Sequence, residues 1–195
     1  MTYKDYQKSR DAVWEILIKE EICELPIMII QLCEKMGIVV KYDYDIPKGV
    51  DGYSRIIKGV PHIFLDPLAM PQRKKFTAAH ELGHIILEHV GEYGPIHRRH
   101  GCKDDPDEQE ANVFASRLLA PACVLWGCGV RTKHDIMELC QISESAAQFR
   151  MERMKILYQR DKFLTSPLER QVYKQFYPYI QENQIKSHPL HQASD

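Results

Sequence analysis

No stretch of the 195-residue chain approaches the run of about 18 apolar residues that a membrane-spanning helix requires. Its first residues, Met1-Thr2-Tyr3-Lys4-Asp5-Tyr6, lack the apolar core of a secretory signal. No excess charge of either sign is present: 26 Lys and Arg stand against 27 Asp and Glu, for a net charge of −1. That balance gives no electrostatic case for direct nucleic-acid binding or an anionic membrane. The six cysteines, Cys23, Cys33, Cys102, Cys123, Cys128 and Cys140, form no Cys-x-x-Cys pair and no tight framework. Without a signal they read as reduced thiols of a cytoplasmic protein. What is present is 44% hydrophobic residues, enough for a proper core. The length predicts one domain of ordinary size with an appended element.

The chain is organised around Phe76-Thr77-Ala78-Ala79-His80-Glu81-Leu82-Gly83-His84-Ile85-Ile86. It contains His-Glu-x-x-His. On a helix, His80 and His84 are four residues apart, so both imidazoles leave one face and can grip one metal ion. Glu81 is rotated from His80 by about 100°. It lies beside the metal, where a carboxylate can take a proton from water. Phe76, Ala79, Gly83, Ile86 and Val90 recur at near-helical spacing, so the helix reads as largely buried. Two histidines and a glutamate are costly there unless something satisfies them, and a metal would. Gly83 costs the helix about 1 kcal/mol relative to Ala, which points to a close neighbour at its backbone.

Around this helix the elements read as follows. Tyr3 to Lys19 is an amphipathic helix. Pro26 opens a second, with Gly37 as its C-cap. Residues 38–44 form a strand, and residues 53–57 and 62–65 form a hairpin. The segment His62-Ile63-Phe64-Leu65 is the candidate free edge for pairing with an extended substrate, which makes Phe64 a candidate substrate-binding residue. The metal helix is expected to end near Val90-Gly91. Beyond it, residues 92–103 read as a loop that carries Tyr93, His97, His100 and Cys102.

A catalytic zinc site takes three protein ligands and keeps one position open. A third histidine six residues after His84 is absent, since that position is Val90, and His89 is one residue early. The next helix supplies carboxylates instead. Asp105 is its N-cap and Pro106 its first residue, and it should stop before Pro121. Glu108 shares a face with Ala111 and Ala115, whose small side chains allow close approach to the metal helix. Asn112, one turn on and on the flank of that face, would then hold a ligand histidine from behind. Two alternatives stand beside this. Glu110 is the rival ligand, about 200° around the helix from Glu108. Glu108 is also spaced to be only the glutamate of a capping box with Asp105.

The blocks Phe76-Thr-Ala-Ala-His-Glu-Leu-Gly-His84, Glu108-Gln-Glu-Ala-Asn-Val-Phe-Ala115 and Leu118-Leu-Ala-Pro121 resemble, in order and spacing, the ImmA/IrrE family of zinc metallo-endopeptidases. The resemblance covers residues 25–125 well. It implies an α+β zincin-like fold, one zinc ion per chain held by His80, His84 and Glu108, and Glu81 as catalytic base. It also implies a protein substrate, a helix-turn-helix repressor of phage, mobile-element or stress genes.

Residues 134–140 and 144–158, with Ser143 as N-cap between them, outline a helix-turn-helix. That permits a different function, a DNA-binding regulator using residues 134–158, with Arg150 and Arg153 toward DNA and a metal-bearing sensor domain. The competing expectation is a helical extension that packs Ile136, Leu139, Ala146, Phe149 and Met154 onto the catalytic domain. Ser166-Pro167 starts a further helix. The resulting division is 1–123 for the peptidase domain, 124–182 for the helical extension and 183–195 for a loose tail.

Overall fold

The computed structural model describes residues 2–91, 94–95 and 105–185. The chain folds as α+β. The first helix, α1 (Tyr3–Lys19), starts from a capping box in which the Thr2 side chain accepts from the Asp5 backbone and the Asp5 carboxylate reaches back. Its Val13, Trp14 and Leu17 are buried. The second, α2 (Ile29–Lys35), begins three residues after the expected Pro26. Leu25 and Ile27 are buried ahead of it, so packing rather than helical hydrogen bonding holds that segment. Gly37 follows the helix at φ +76°, the left-handed conformation that suits a glycine there.

A small sheet comes next: β1 (Val39–Tyr42), β2 (Gly52–Ile57) and β3 (Val60–Leu65). The hairpin turn is Lys58-Gly59, with φ of +52° and +76°, the paired positive angles of a tight two-residue hairpin. The strand order is β1-β3-β2, with β1 parallel and β2 antiparallel to β3. This corrects one expectation. The segment 62–65 has no free edge, because the chain lays β1 along its open side. Phe64 also lies on the wrong face for binding substrate. Its neighbours Ile63 and Leu65 are fully buried, so alternation turns Phe64 to the other side, where its ring stacks on Tyr53 at 4.8 Å.

The metal-motif helix, α3 (Pro71–Ile86), packs against β2, β3 and α4 (Pro106–Leu119). It stops earlier than its apolar pattern predicts. Leu87 is the C-cap, and Glu88 is left-handed at φ +64°. The Glu88 and His89 amides then donate back to the Ile85 and His84 carbonyls, the paired bonds of a Schellman ending. A short ribbon of β4 (Val90–Gly91) and β5 (Gly94–Pro95) follows.

The remaining helices are α5 (Ala122–Gly127), α6 (Lys133–Cys140), α7 (Glu144–Arg160), α8 (Pro167–Gln175) and α9 (Tyr177–Glu182). The boundary expected between residues 123 and 124 falls inside α5. Buried residues on both sides of it, from Val13 to Ile180, share one core. From α8, the Gln175 amide donates to the Leu17 and Ile22 carbonyls. The first residues of the expected tail are also docked, since Ile185 donates to the Cys128 carbonyl. Phe149 does not pack inward as expected; it is 60% exposed. Cys33, Cys123, Cys128 and Cys140 are buried and free, and burial pushes the Cys33 and Cys140 thiols up to about 12. Among the described residues, no helix is long and apolar enough to cross a membrane.

Candidate metal centre

The centre lies where α3 meets α4. Gly83 makes the approach possible: a Cβ there would sit 3.0 Å from Phe114 of α4. Ala78, Ala79, Ala111 and Ala115 are fully buried. With no long side chains holding the two helices apart, Glu108 reaches across to the histidines. Its Oε2 is 3.2 Å from His80 Nε2, and its Oε1 is 3.3 Å from His84 Nε2. The two Nε2 atoms are 2.9 Å apart. Asp105 caps α4 through the Asp107 amide, while the Glu108 carboxylate turns toward the histidines. Its contacts with His80 and His84 hold that carboxyl well below the usual carboxylate range.

The donor set fits a metal ion. His80 Nδ1 donates to Asn112 Oδ1 at 3.1 Å, which leaves its Nε2 carrying a lone pair. His84 Nδ1 meets His89 Nδ1 at 3.1 Å, and with His84 as the donor there its Nε2 likewise carries a lone pair. Two lone pairs at such a distance repel unless a cation or proton lies between them. Glu108 Oε1 is buried without a hydrogen-bond donor. One ligand atom from each of His80, His84 and Glu108 lies within 4.8 Å of the others.

Glu81 is beside this cluster and only 2% exposed. Ser54 Oγ, on the buried face of β2, donates to Glu81 Oε2 at 2.7 Å. A hydroxyl donor favours the ionised carboxylate and fixes its direction. Strand β2, not β3, is therefore the strand that touches the site. A cleft of about 290 Å³ lies over it, lined by residues 49–52, His80, Glu81, Glu108 and Asn112. At Asp51, Phe76, Thr77 and Asn112 the cleft joins a groove of about 760 Å³ with Met70, Leu119, Ile142 and Phe149 in its wall.

These surroundings match a known family. A family model described as the IrrE N-terminal-like domain, of the M78 peptidases, matches residues 33–152. The chain belongs to this family. Its M78 membership makes it a metallopeptidase-type protein, and a metal is implied. No curated protein matches the chain. Among solved structures, a Mycobacterium tuberculosis transcriptional regulator is similar at 15% identity with a TM-score of 0.50, over 87% of this chain and 50% of that one. The M78 chain spans about half that regulator's length, and at this identity the likeness shows the fold alone.

Around the M78 motif, sequence reasoning missed two partners. The first is Ser54, 27 residues before Glu81 and without a motif of its own. The second is His89, whose ring the Schellman turn folds back onto His84. Its Nε2 lies 3.6 Å from Glu110 and 3.8 Å from Asp107. Glu110, the rival ligand, is thus buried against His89 rather than turned into the cluster. The arginines considered for DNA binding point inward: Arg150 Nε donates to the Ala120 carbonyl and Arg153 to the Tyr6 hydroxyl. Tyr93, His97, His100 and Cys102 lie outside the described residues.

Proposed function

We propose that this protein is a zinc-dependent endopeptidase, with His80, His84 and Glu108 holding one zinc ion and Glu81 as general base. The observation that carries this reading is the convergence of the two Nε2 atoms and the Glu108 carboxylate beside a buried, Ser54-anchored Glu81. Two imidazoles and one carboxylate with an open side suit zinc. When bound, the ion polarises the peptide carbonyl and acidifies water.

The chain's own residues do the rest. Glu81 takes the proton from the attacking water and delivers it to the leaving amine. Ser54 keeps that carboxylate aimed. Asn112 holds the His80 ring, and His89, backed by Glu110 and Asp107, holds the His84 ring. The substrate is a polypeptide: the cleft beside β2 has room for an extended segment, and the adjoining groove offers apolar wall to its side chains. The family resemblance points to a helix-turn-helix repressor, cleaved in the cytoplasm.

Elemental analysis and a cleavage assay on a co-expressed repressor test this together. Glu81→Gln is expected to keep its metal and lose about 10²–10⁴ of the rate. Glu108→Gln is expected to lose the metal, and Glu110→Gln to retain it with lower affinity. Wild type that takes up no metal when zinc is supplied, or cleavage that survives Glu81→Gln, would sink the reading.

A further inference from the structure

A second cavity, of about 520 Å³, opens among α1, α4 and α7 beyond Ser116 and Phe149, which also line the groove. Its wall carries Tyr6, Arg117, Phe149, Arg150, Arg153 and Arg160. Three of the arginines are drawn together. Arg117 and Arg153 both donate to the Tyr6 hydroxyl, and their guanidinium carbons sit 4.4 and 5.1 Å from the centre of its ring. Arg150 is 2% exposed. Its Nε donates to the Ala120 carbonyl at 2.7 Å, while its Nη2 is buried with no partner. Arg153 Nε is likewise buried and unpartnered. Among the described residues, no ion pair joins Arg117, Arg150 or Arg153 to a carboxylate.

Guanidinium groups do not shed their charge at neutral pH, and a buried unpaired one is strongly unfavourable. Burial and the neighbouring Arg117 charge push Arg150 down only to about 9, so it remains a cation. Burial pushes the Tyr6 phenol up, yet Arg117 and Arg153 override it and hold that phenol below its ordinary value. Two buried guanidinium groups, Arg117 and Arg150, and the half-buried Arg153 share one phenol oxygen and one carbonyl, with donors left over.

We propose that this cavity binds the phosphoryl group of a small molecule, gripped by Arg117, Arg150 and Arg153. A single carboxylate would leave two of the three charges uncompensated. A phosphoryl group brings about two negative charges at neutral pH and three acceptor oxygens, and guanidinium forks match its geometry. None of these residues is a candidate metal ligand, so failure at this site leaves the peptidase reading untouched.

The test is the melting temperature of the full, metal-loaded chain against inorganic phosphate, with sodium chloride holding ionic strength constant. Wild type is expected to gain a saturable stabilisation. In Arg150→Met and Arg153→Met the apparent affinity is expected to fall about tenfold or more, since charged hydrogen bonds are lost. Arg153→Lys, which keeps the charge but not the fork, is expected to bind phosphate with intermediate affinity. Absence of a saturable response in wild type overturns the proposal. So does an equal response in wild type and Arg153→Met, which would place the anion elsewhere, including at the metal. A tetraglutamate peptide that binds this cavity more tightly than phosphate also overturns it and assigns the arginines to an acidic polypeptide.

Discussion

Single residues around the candidate metal centre act by holding other residues still. His89 is not one of the three residues of the cluster; it braces His84 through Nδ1. Replacing it by Ala leaves His84 free to turn its ring, and the expected result is a loss of about 10–100-fold in metal affinity, read by competition with a chelator. Ser54→Ala removes the hydroxyl that donates to Glu81 Oε2. Metal content is expected to stay unchanged while the cleavage rate falls, because only the aim of the base is lost. Gly83→Ala places a methyl against Phe114. Overpacking of this kind costs about 1–3 kcal/mol, offset by about 1 kcal/mol of helix propensity, so a net destabilisation of about 0–2 kcal/mol is expected. The metal affinity is the sensitive readout, since Phe114 and Glu108 ride on the same helix. The His-Glu-x-x-His spacing and the need for a close neighbour at Gly83 were legible in the sequence. Ser54 was not, because a strand serine has the same appearance whether it faces a carboxylate or water.

Helix α3 shows how an element's ending shapes the site. Its apolar pattern continues to Val90, and no glycine marks the stop at Leu87. The left-handed residue is Glu88, a side chain that carries no signal for that conformation. The turn was therefore invisible in the sequence, although it is what returns His89 to His84. Glu88→Gly is expected to preserve the turn and stabilise the protein by up to about 1 kcal/mol, since glycine avoids the left-handed penalty. Glu88→Val cannot adopt that angle without strain, so both melting temperature and metal affinity are expected to fall. The two variants separate the role of the backbone angle from that of the glutamate side chain. The sheet taught a similar lesson. The hairpin of β2 and β3 was evident from its alternation and its Lys-Gly turn. That β1 would pair parallel to β3 and close its edge depended on where α2 delivers the chain, which local patterning does not encode.

For the whole molecule, the helices after α4 are part of the core rather than an optional addition. Val172, Phe176 and Ile180 are fully buried in the same cluster as Val13, Trp14 and Leu17. A fragment ending at residue 123 would expose that α1 face and cut through α5. It is expected to lack cooperative unfolding by calorimetry, in contrast to the full-length chain. Metal should also register globally, because it would tie α3 to α4. A ligand bound only by the folded state stabilises it in proportion to the logarithm of its free concentration. Zinc is expected to raise the melting temperature and a chelator to reverse the rise, and Glu108→Gln should respond to neither.

The sequence by itself determined the helix carrying His80, Glu81 and His84, the acidic helix start that brings Glu108, the N-caps Asp105, Ser143 and Ser166, and the family. These are local matters of spacing, capping and motif, and they survive without knowledge of the rest of the chain. Only the tertiary structure decided which strand touches the site, that His89 and Ser54 serve it, and that Arg117, Arg150 and Arg153 turn inward together. Those depend on contacts between residues far apart in the chain or on one unsignalled backbone angle. The inward arginines are the sharpest case, since a helical pattern reads Arg150 as solvent-facing until the neighbouring helices enclose it.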